Sequence, residues 1–332
     1  MIERVIEWST KNTFLVSLAL LFLMGWGGWA VYHTPLDAIP DLSDVQVIIF
    51  TEWPGRSPDL VEDQITYPII TSMLGAPRVK NVRGQSFLGL SFVYIIFQDG
   101  TDIYWARSRV VEYMQGVKGK LPEGVSPTLG PDATGVGWVF QYALVDKSGQ
   151  HDLAELRTFQ DWYLRYWLQS VPGVAQVASI GGFVKQYQVQ VDPTKLLGYH
   201  IPLKKVIEAI QRSNNDVGGR VLEVTEREYM VRGRGYIRSL DDIRKIAVGT
   251  DQQGTPITVQ DLAQVVLGPD MRRGVAELDG QGETVGGIIV MRYGENALAV
   301  IERVKEKLAE IGPSLPPGME IIPVYDRSEL IR

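Results

Sequence analysis

Residues 12–36 carry no charged side chain, and the centre of this run, "FLVSLALLFLMGWGGWAVY", shows no polar stripe at any helical spacing. About 20 apolar residues at ~1.5 Å rise span the ~30 Å hydrocarbon layer of a bilayer. Trp8, Trp26, Trp29 and Tyr32 sit toward the ends, where amphipathic rings favour the headgroup level. A cleaved signal peptide has a basic start and an apolar stretch of only about 7–15 residues. Here the start mixes Glu3, Arg4, Glu7 and Lys11. A long core helix would show a polar face. The pattern predicts a membrane-crossing helix over 13–32.

After this run the pattern changes to short strands alternating with amphipathic helices. "VQVIIFTEW" (45–53) reads as a strand, and the following helix has Ser57 as N-cap and Pro58 in its first turn. Val61, Ile65, Ile69 and Met73 fall four apart and predict its buried face, with a kink expected at Pro68. "FLGLSFVYIIF" (87–97) reads as one strand. Asp102 then caps a helix with Ile103, Ala106, Val110 and Met114 on its inner stripe. A Pro- and Gly-rich stretch, "LPEGVSPTLGPDATGVG", closes this unit.

The plan repeats. "WVFQYALVD" (138–146) is a strand, 152–171 is a helix, and 175–192 reads as a strand pair around Gly181 and Gly182. The same unit resumes with a strand at 286–293 and a helix with Leu298, Ile301, Val304 and Leu308 inward. A closing strand, "MEIIPVYD" (319–326), completes it. Between these halves lies an insertion with one amphipathic helix over Val206, Ile207 and Ile210, then short β-type runs separated by glycines. The fold class expected is α+β, with a small mixed domain inserted into the second strand–helix unit.

Charge sets the orientation. Arg4 and Lys11 precede the apolar run, and the next basic residue after it is Arg56. The basic side stays cytoplasmic, which places residues 1–12 in the cytoplasm and everything from about residue 34 on the far side. In a bacterium that side is the periplasm. The chain has no cysteine, which suits an oxidising compartment without disulfides. The net charge of −6 comes from interspersed acids and bases, and no basic stripe exists for nucleic acid.

No catalytic constellation and no cofactor loop emerges. "GQGETVGG" (280–287) has the look of a dinucleotide loop, but a strand follows it where the fingerprint needs a helix. "GPDATGVG" lacks the lysine of a phosphate loop. His33, His151 and His200 are far apart, without the paired spacing of zinc ligands. Thioethers suit soft monovalent metals. Met73 and Met114 lie on core faces, however, and Met230, Met271, Met291 and Met319 fall in or beside separate strands. Asp37, Asp41 and Asp44 read as solvated turn acids, with Asp44 placed to end a strand. Arg232, Arg234 and Arg238 read as a solvated face, with a docking surface as the sharper alternative. The metal-ligating residues therefore stay unassigned.

Four stretches carry a family resemblance: "PDLSDVQV" (40–47), "DGTDIYWARSRVVEY" (99–113), "GPDATGVGWVFQYALVD" (130–146) and "GPDMRRGVAELDGQGE" (268–283). With them the chain resembles, over its whole length, the heavy-metal branch of the resistance–nodulation–division (RND) efflux transporters, most of all the Cus-type copper/silver pumps. The resemblance implies a secondary transporter rather than an enzyme, an inner-membrane subunit exporting Cu or Ag against protons, with no cofactor. It implies a homotrimer working with a periplasmic adaptor and an outer-membrane channel.

In that frame residues 34–135 are a first ferredoxin-like porter subdomain. Residues 136–185 and 271–326 are the second, and 186–270 are a docking-domain insertion. Residues 327–332 start the next membrane-proximal helix. The first strand starts close to the bilayer because substrate enters at that level. Family pumps are much longer, so the chain reads as their N-terminal part. The family's proton-relay acids and methionine cluster lie beyond it. The alternatives are a divalent-metal (Zn/Co/Cd) or multidrug RND pump and a single-anchor periplasmic sensor or adaptor.

Overall fold

The computed structural model describes residues 2–34, 37–224, 227–233, 235–272 and 274–332, and the side chains of all of these except Ile2, Tyr32, His33, Arg220, Val224 and Arg232. The side chains of Tyr32, His33, Arg232 and Arg234, weighed above, thus lie outside the described residues. The chain divides into two compact units. One comprises residues 1–148, 160–179 and 286–332, and the other 149–159 and 180–285.

Two helices open the chain, α1 (Ile2–Lys11) and α2 (Thr13–His33). Among the described residues α2 is the one helix long and apolar enough to cross a membrane, over Thr13–Val31, and none of that window is buried in protein.

The first layer follows. It contains β1 (Gln46–Glu52), α3 (Pro58–Val61), a π turn (Glu62–Thr66) and α4 (Tyr67–Met73). It continues with β2 (Val79–Phe87), β3 (Leu90–Phe97), α5 (Ile103–Val117) and β4 (Thr128–Leu129). The strand order is β2-β3-β1-β4 and every pairing is antiparallel. Val47, Ile49, Val93, Ile95 and Phe97 point to one face, where Ile65, Ile69, Met73, Ile103, Ala106 and Val110 cover them. The expected stripes are in place, with Met114 half-buried at their margin.

Two expectations change. The run 87–97 is not one strand: a tight turn at Leu88 and Gly89 separates β3 from β2. Gly89 has φ +68, and a Cβ there would lie 3.0 Å from the Trp53 carbonyl oxygen, so the turn requires glycine. β2, "VKNVRGQSF", is too polar to announce itself. Pro68 is accommodated by the π turn before it, in which the Tyr67 N–H donates to the Glu62 carbonyl. The wider turn relieves the proline ring from the carbonyl it would otherwise strike.

The second layer begins with β5 (Trp138–Asp146), α6 (Leu153–Phe159), a second π turn (Gln160–Leu164), α7 (Arg165–Gln169) and β6 (Val174–Gly181). Residues 175–192 hold two strands, as expected, but they join different sheets. The break falls at Gly181 and Gly182, with φ +70 and +59.

The inserted unit contains β7 (Lys185–Val191), α8 (Pro193–Gly198), α9 (Leu203–Ser213), β8 (Val217–Val224), β9 (Arg227–Gly233) and α10 (Leu240–Arg244). It ends with β10 (Ala247–Thr250), β11 (Pro256–Thr258), α11 (Val259–Leu262) and β12 (Ala263–Pro269). β12 pairs with β7, β10 with β11, and β8 with β9, all antiparallel. Its core gathers Ile201, Val206, Ile243, Val248, Ile257, Leu262 and Val265. The single helix expected over 206–210 is two, because Asp192 caps α8 by accepting from the Thr194 and Lys195 N–H groups. Ile207, expected inward, is exposed.

The chain then returns through β13 (Val285–Met291), α12 (Ala297–Ile311), β14 (Met319–Asp326) and α13 (Ser328–Ile331). This layer has the order β14-β5-β13-β6, with β14 antiparallel to β5. On α12 the fully buried stripe is Ala297, Val300, Ile301, Val304 and Ile311. Leu298 and Leu308, expected inward, are only half-buried at its edges. Numbered within each layer, the strands of both run 2-3-1-4, so the two layers share one topology. The fold is mixed α/β with antiparallel sheets.

Candidate functional site

The uncovered face of the first layer's sheet builds a cleft. Strand alternation sends Val47, Ile49 and Thr51 into the core and turns Ile48 and Phe50 to the other side. Antiparallel register sets Ile48 opposite Tyr94 and Phe50 opposite Phe92. The Phe50 and Phe92 rings lie 5.1 Å apart, tilted by 45°, and Phe87 meets Phe92 edge-on at 6.0 Å. Above this floor Thr128 to Asp132 and Arg107 form one wall, and Gln169, Ala175 and Gln176 the other. The cavity measures about 540 Å³.

Polar groups hold one wall in place. The Gly130 N–H donates to the Ile48 carbonyl at 2.8 Å, and Arg107 Nη1 donates to the Gly130 carbonyl at 2.8 Å. Asp132 faces Arg292 Nε at 2.8 Å and accepts from the Tyr104 hydroxyl at 3.3 Å. Its own carbonyl accepts from the Tyr293 N–H at 2.8 Å. Burial, and then the Asp132 charge beside it, hold the Tyr104 phenol above its usual value. It stays a neutral donor to Asp132. The cleft thus offers an aromatic floor and a neutralised ion pair, and among the described residues its lining includes no methionine or histidine.

The residues weighed in the sequence fall apart in space or into other work. His151 Nδ1 lies 3.4 Å from Glu155, and His200 is an exposed residue with φ +55. Met73 is core. Met230 and Met271 are 82% and 67% exposed on the inserted unit, and Met291 and Met319 are half-buried on β13 and β14. Among the described residues no three His, Cys, Asp or Glu side chains are grouped to hold a metal ion. Arg238 is exposed, in keeping with a solvated face.

The acids after the apolar helix are not simply solvated. Asp37 Oδ2 lies 3.3 Å from Arg327 Nη1, and Asp44 faces Lys80 at 3.5 Å. Burial pushes the Asp41 carboxyl up, but hydrogen bonds from Thr134 and Ser43 and the Arg327 charge outweigh it and leave its pKa below the usual range. Arg327 is 3% exposed and donates through Nη2 to the Val136 and Trp138 carbonyls at 2.6 and 2.7 Å. Nothing in the sequence singled it out. An arginine one residue past a closing strand has no local signal of burial.

A family model described as AcrB/AcrD/AcrF matches residues 5–332. The chain belongs to the AcrB/AcrD/AcrF family. It is 56% identical over 331 residues to the putative cation efflux system protein SilA of Salmonella typhimurium and 55% identical to the cation efflux system protein CusA of Escherichia coli. It is 40% identical to the cobalt-zinc-cadmium resistance protein CzcA of Cupriavidus metallidurans. Each alignment takes in all of this chain and 32% of the relative, so the chain spans about a third of the length of the curated relatives it matches. A crystal structure of a heavy metal efflux pump superposes with a TM-score of 0.84 at 34% identity. That match covers 96% of this chain and 32% of the pump.

Proposed function

We propose that this chain is the N-terminal portion of a proton-driven RND exporter of monovalent heavy-metal cations, Cu(I) and Ag(I), in the bacterial inner membrane. The observation that carries the reading is the difference in identity between relatives aligned over the whole chain. Identity is 56% and 55% to the cation efflux proteins SilA and CusA, against 40% to a cobalt-zinc-cadmium resistance protein. Residues 34–135 are read as the first porter subdomain, residues 136–185 and 271–326 as the second, and residues 186–270 as the docking insertion. The shared 2-3-1-4 strand order supports reading both layers as ferredoxin-like.

The helix over Thr13–Val31 then crosses the inner membrane with Arg4 and Lys11 on the cytoplasmic side, and the chain from about residue 34 is periplasmic. The whole transporter works as a homotrimer with a periplasmic adaptor and an outer-membrane channel. The cleft has an aromatic floor rather than thioethers, so in this reading soft metal is held by residues outside this chain.

Expressing the full transporter in a bacterium stripped of its own copper and silver export tests the reading. Silver tolerance should rise, cellular silver should fall, and a protonophore should abolish both effects. Unchanged silver sensitivity, or tolerance confined to zinc, cobalt and cadmium, would overturn it.

A further inference from the structure

We infer that α1 is an interfacial anchor, lying along the cytoplasmic surface of the bilayer with one face in the headgroup–acyl boundary. The inference rests on reading α2 as the membrane span. Ten residues form this helix, "IERVIEWSTK". Val5, Ile6 and Trp8 lie on one side of the helical wheel, and Glu3, Arg4, Glu7 and Lys11 on the other. In the structure Val5, Ile6 and Trp8 are 60%, 58% and 56% exposed, so nothing among the described residues covers this side. Three large apolar side chains on one short helix, all facing outward, need an apolar partner.

The lipid surface is that partner for three reasons. Only Asn12 separates α1 from α2, so α1 is held within a turn of where the hydrocarbon begins. Asn12 also leaves helical geometry, with φ −122 and ψ 46, so the helix axis turns there instead of running straight on into water. The hydrogen bonding survives the turn: the Asn12 N–H donates to the Trp8 carbonyl at 3.0 Å, and the Val16 N–H to the Asn12 carbonyl at 3.1 Å. Asn12 Nδ2 also donates to the Trp8 carbonyl, at 2.9 Å. With its own N–H and carbonyl paired, Asn12 can make the turn within the interface without leaving its backbone unpaired in lipid.

The polar face fits as well. Glu7 and Lys11 form an ion pair at 2.8 Å, and Glu3 and Arg4 balance each other in charge. An electroneutral face neither seeks nor avoids anionic headgroups, so apolar burial and the Trp8 ring drive the contact. Its consequence for the span is positional. A helix fixed in the interface plane sets the depth and rotation at which α2 enters the bilayer.

The absence of cysteine makes a direct test clean. Nitroxide labels are placed on the full chain by Arg4→Cys, Val5→Cys, Ile6→Cys, Glu7→Cys, Trp8→Cys and Lys11→Cys, with Leu20→Cys as a marker in α2. In phosphatidylcholine vesicles, collision with oxygen reports lipid and collision with a water-soluble nickel chelate reports water. The expected pattern is high oxygen and low nickel access at positions 5, 6 and 8, and the reverse at 4, 7 and 11, with position 20 deeper than all. Adding phosphatidylglycerol should leave the pattern unchanged.

Water access at all six α1 positions, or lipid access at all six, overturns the inference while leaving the span intact. So does a pattern that appears only with anionic lipid. Exclusion of both reagents at 5, 6 and 8 would mean protein covers the face, and also overturns it. Water access at position 20 would instead show that the reading of α2 itself fails.

Discussion

Arg327 and Asp37 form an ion pair between residues 290 positions apart, Nη1 to Oδ2 at 3.3 Å. Asp37 belongs to the segment that follows the apolar helix, and Arg327 sits between the closing strand β14 and the short helix α13. The same guanidinium reaches the Val136 and Trp138 carbonyls at the start of β5. One buried side chain therefore ties together the segment leaving the apolar helix, the start of the second layer and its end. The acidic character of the exit turn has a structural reason: it supplies the charge that lets an arginine be buried there.

The two partners should respond unequally. Arg327→Met leaves two partly buried carbonyls without their donor and Asp37 without its buried counter-charge, and should cost about 3 kcal/mol. Asp37→Asn keeps a hydrogen-bonding group against Arg327, and Asp41 still supplies negative charge nearby. It should cost about 1 kcal/mol. Chemical denaturation of both variants checks the order. Equal effects would show that the guanidinium–carbonyl bonds carry little.

Both π turns aim a polar side chain onto the sheet beneath. Thr66 Oγ1 shares hydrogen bonds with Ser86 Oγ at 2.8 Å and Ser91 Oγ at 2.7 Å. Gln160 Oε1 accepts from the Tyr142 hydroxyl at 2.8 Å. Burial raises the Tyr142 phenol far above its usual value, so it remains a neutral donor. Tyr142→Phe strands the Gln160 oxygen, whose amide nitrogen keeps its bond to Ser179 Oγ, and should cost about 1–3 kcal/mol. Gln160→Leu alone strands the hydroxyl and should cost a similar amount. The double variant should cost clearly less than the sum, since neither group is then left unpaired. A double-mutant cycle read from denaturant midpoints decides it, and simple additivity would refute the coupling.

Much of this was legible in the sequence because burial follows periodicity. Val61, Ile65, Ile69 and Met73 recur at helical spacing and are all buried. Asp102 caps α5, accepting from the Trp105 N–H at 2.7 Å. What escaped depends on long-range pairing. β2 is polar on most positions because its inner neighbour β3 carries the apolar load, so its own pattern never alternates clearly. The partners of Asp37 and Asp132 lie on segments remote in sequence, and a lone Arg327 or Arg292 looks like any surface arginine. The aromatic floor escaped for another reason. Alternation in β1 and β3 gives Ile48, Phe50, Phe92 and Tyr94 the same signal as core, and only topology shows that their face stays open.

Glycine at 287 should be irreplaceable. A Cβ there would collide with the Tyr142 ring carbon Cζ and with its hydroxyl oxygen, and would sit 2.7 Å from Cε1. Tyr142 is itself held by Gln160 and cannot swing aside without breaking that bond. Gly287→Ala should therefore cost about 1–3 kcal/mol by overpacking, and Tyr142→Phe, which removes the colliding hydroxyl and frees the ring from Gln160, should recover part of that cost. Gly280→Ala makes a useful contrast. That position meets no atom within 4 Å and has φ +69, so its cost is backbone strain alone, about 1 kcal/mol. Thermal unfolding of the two variants separates steric from conformational penalties.

Asp326 makes the lower edge of the stability profile pH-dependent. Burial pushes its carboxyl up, but hydrogen bonds from Lys305 and Ser328 and the Lys305 charge pull it further down, below the usual 3.8. A carboxyl with a lower pKa folded than unfolded stabilises the fold fully above the unfolded value. That contribution is lost as pH falls through the folded one. Stability should therefore drop on acidification below about pH 4. Asp326→Asn should be less stable than the parent at neutral pH and show a shallower acid limb. Melting curves from about pH 5 to about pH 2 measure both, and parallel limbs would remove Asp326 from the account.

Silver binding is the most exposed expectation. Soft-metal affinity needs several thioethers or thiolates converging on one ion. This chain has no cysteine, and Met73, at the end of α4, is locked in the first core. Met230 and Met271 are open to solvent, and Met291 and Met319 lie half-buried on separate strands. A single thioether holds Ag(I) only weakly, so calorimetric titration of the purified chain should show affinity weaker than micromolar and no fixed stoichiometry. Tight, stoichiometric uptake abolished by Met230→Ile or Met271→Ile would instead place a metal site within this chain. Retention of tight binding in both variants would point to Met291 and Met319, and Met319→Ile would then decide between them.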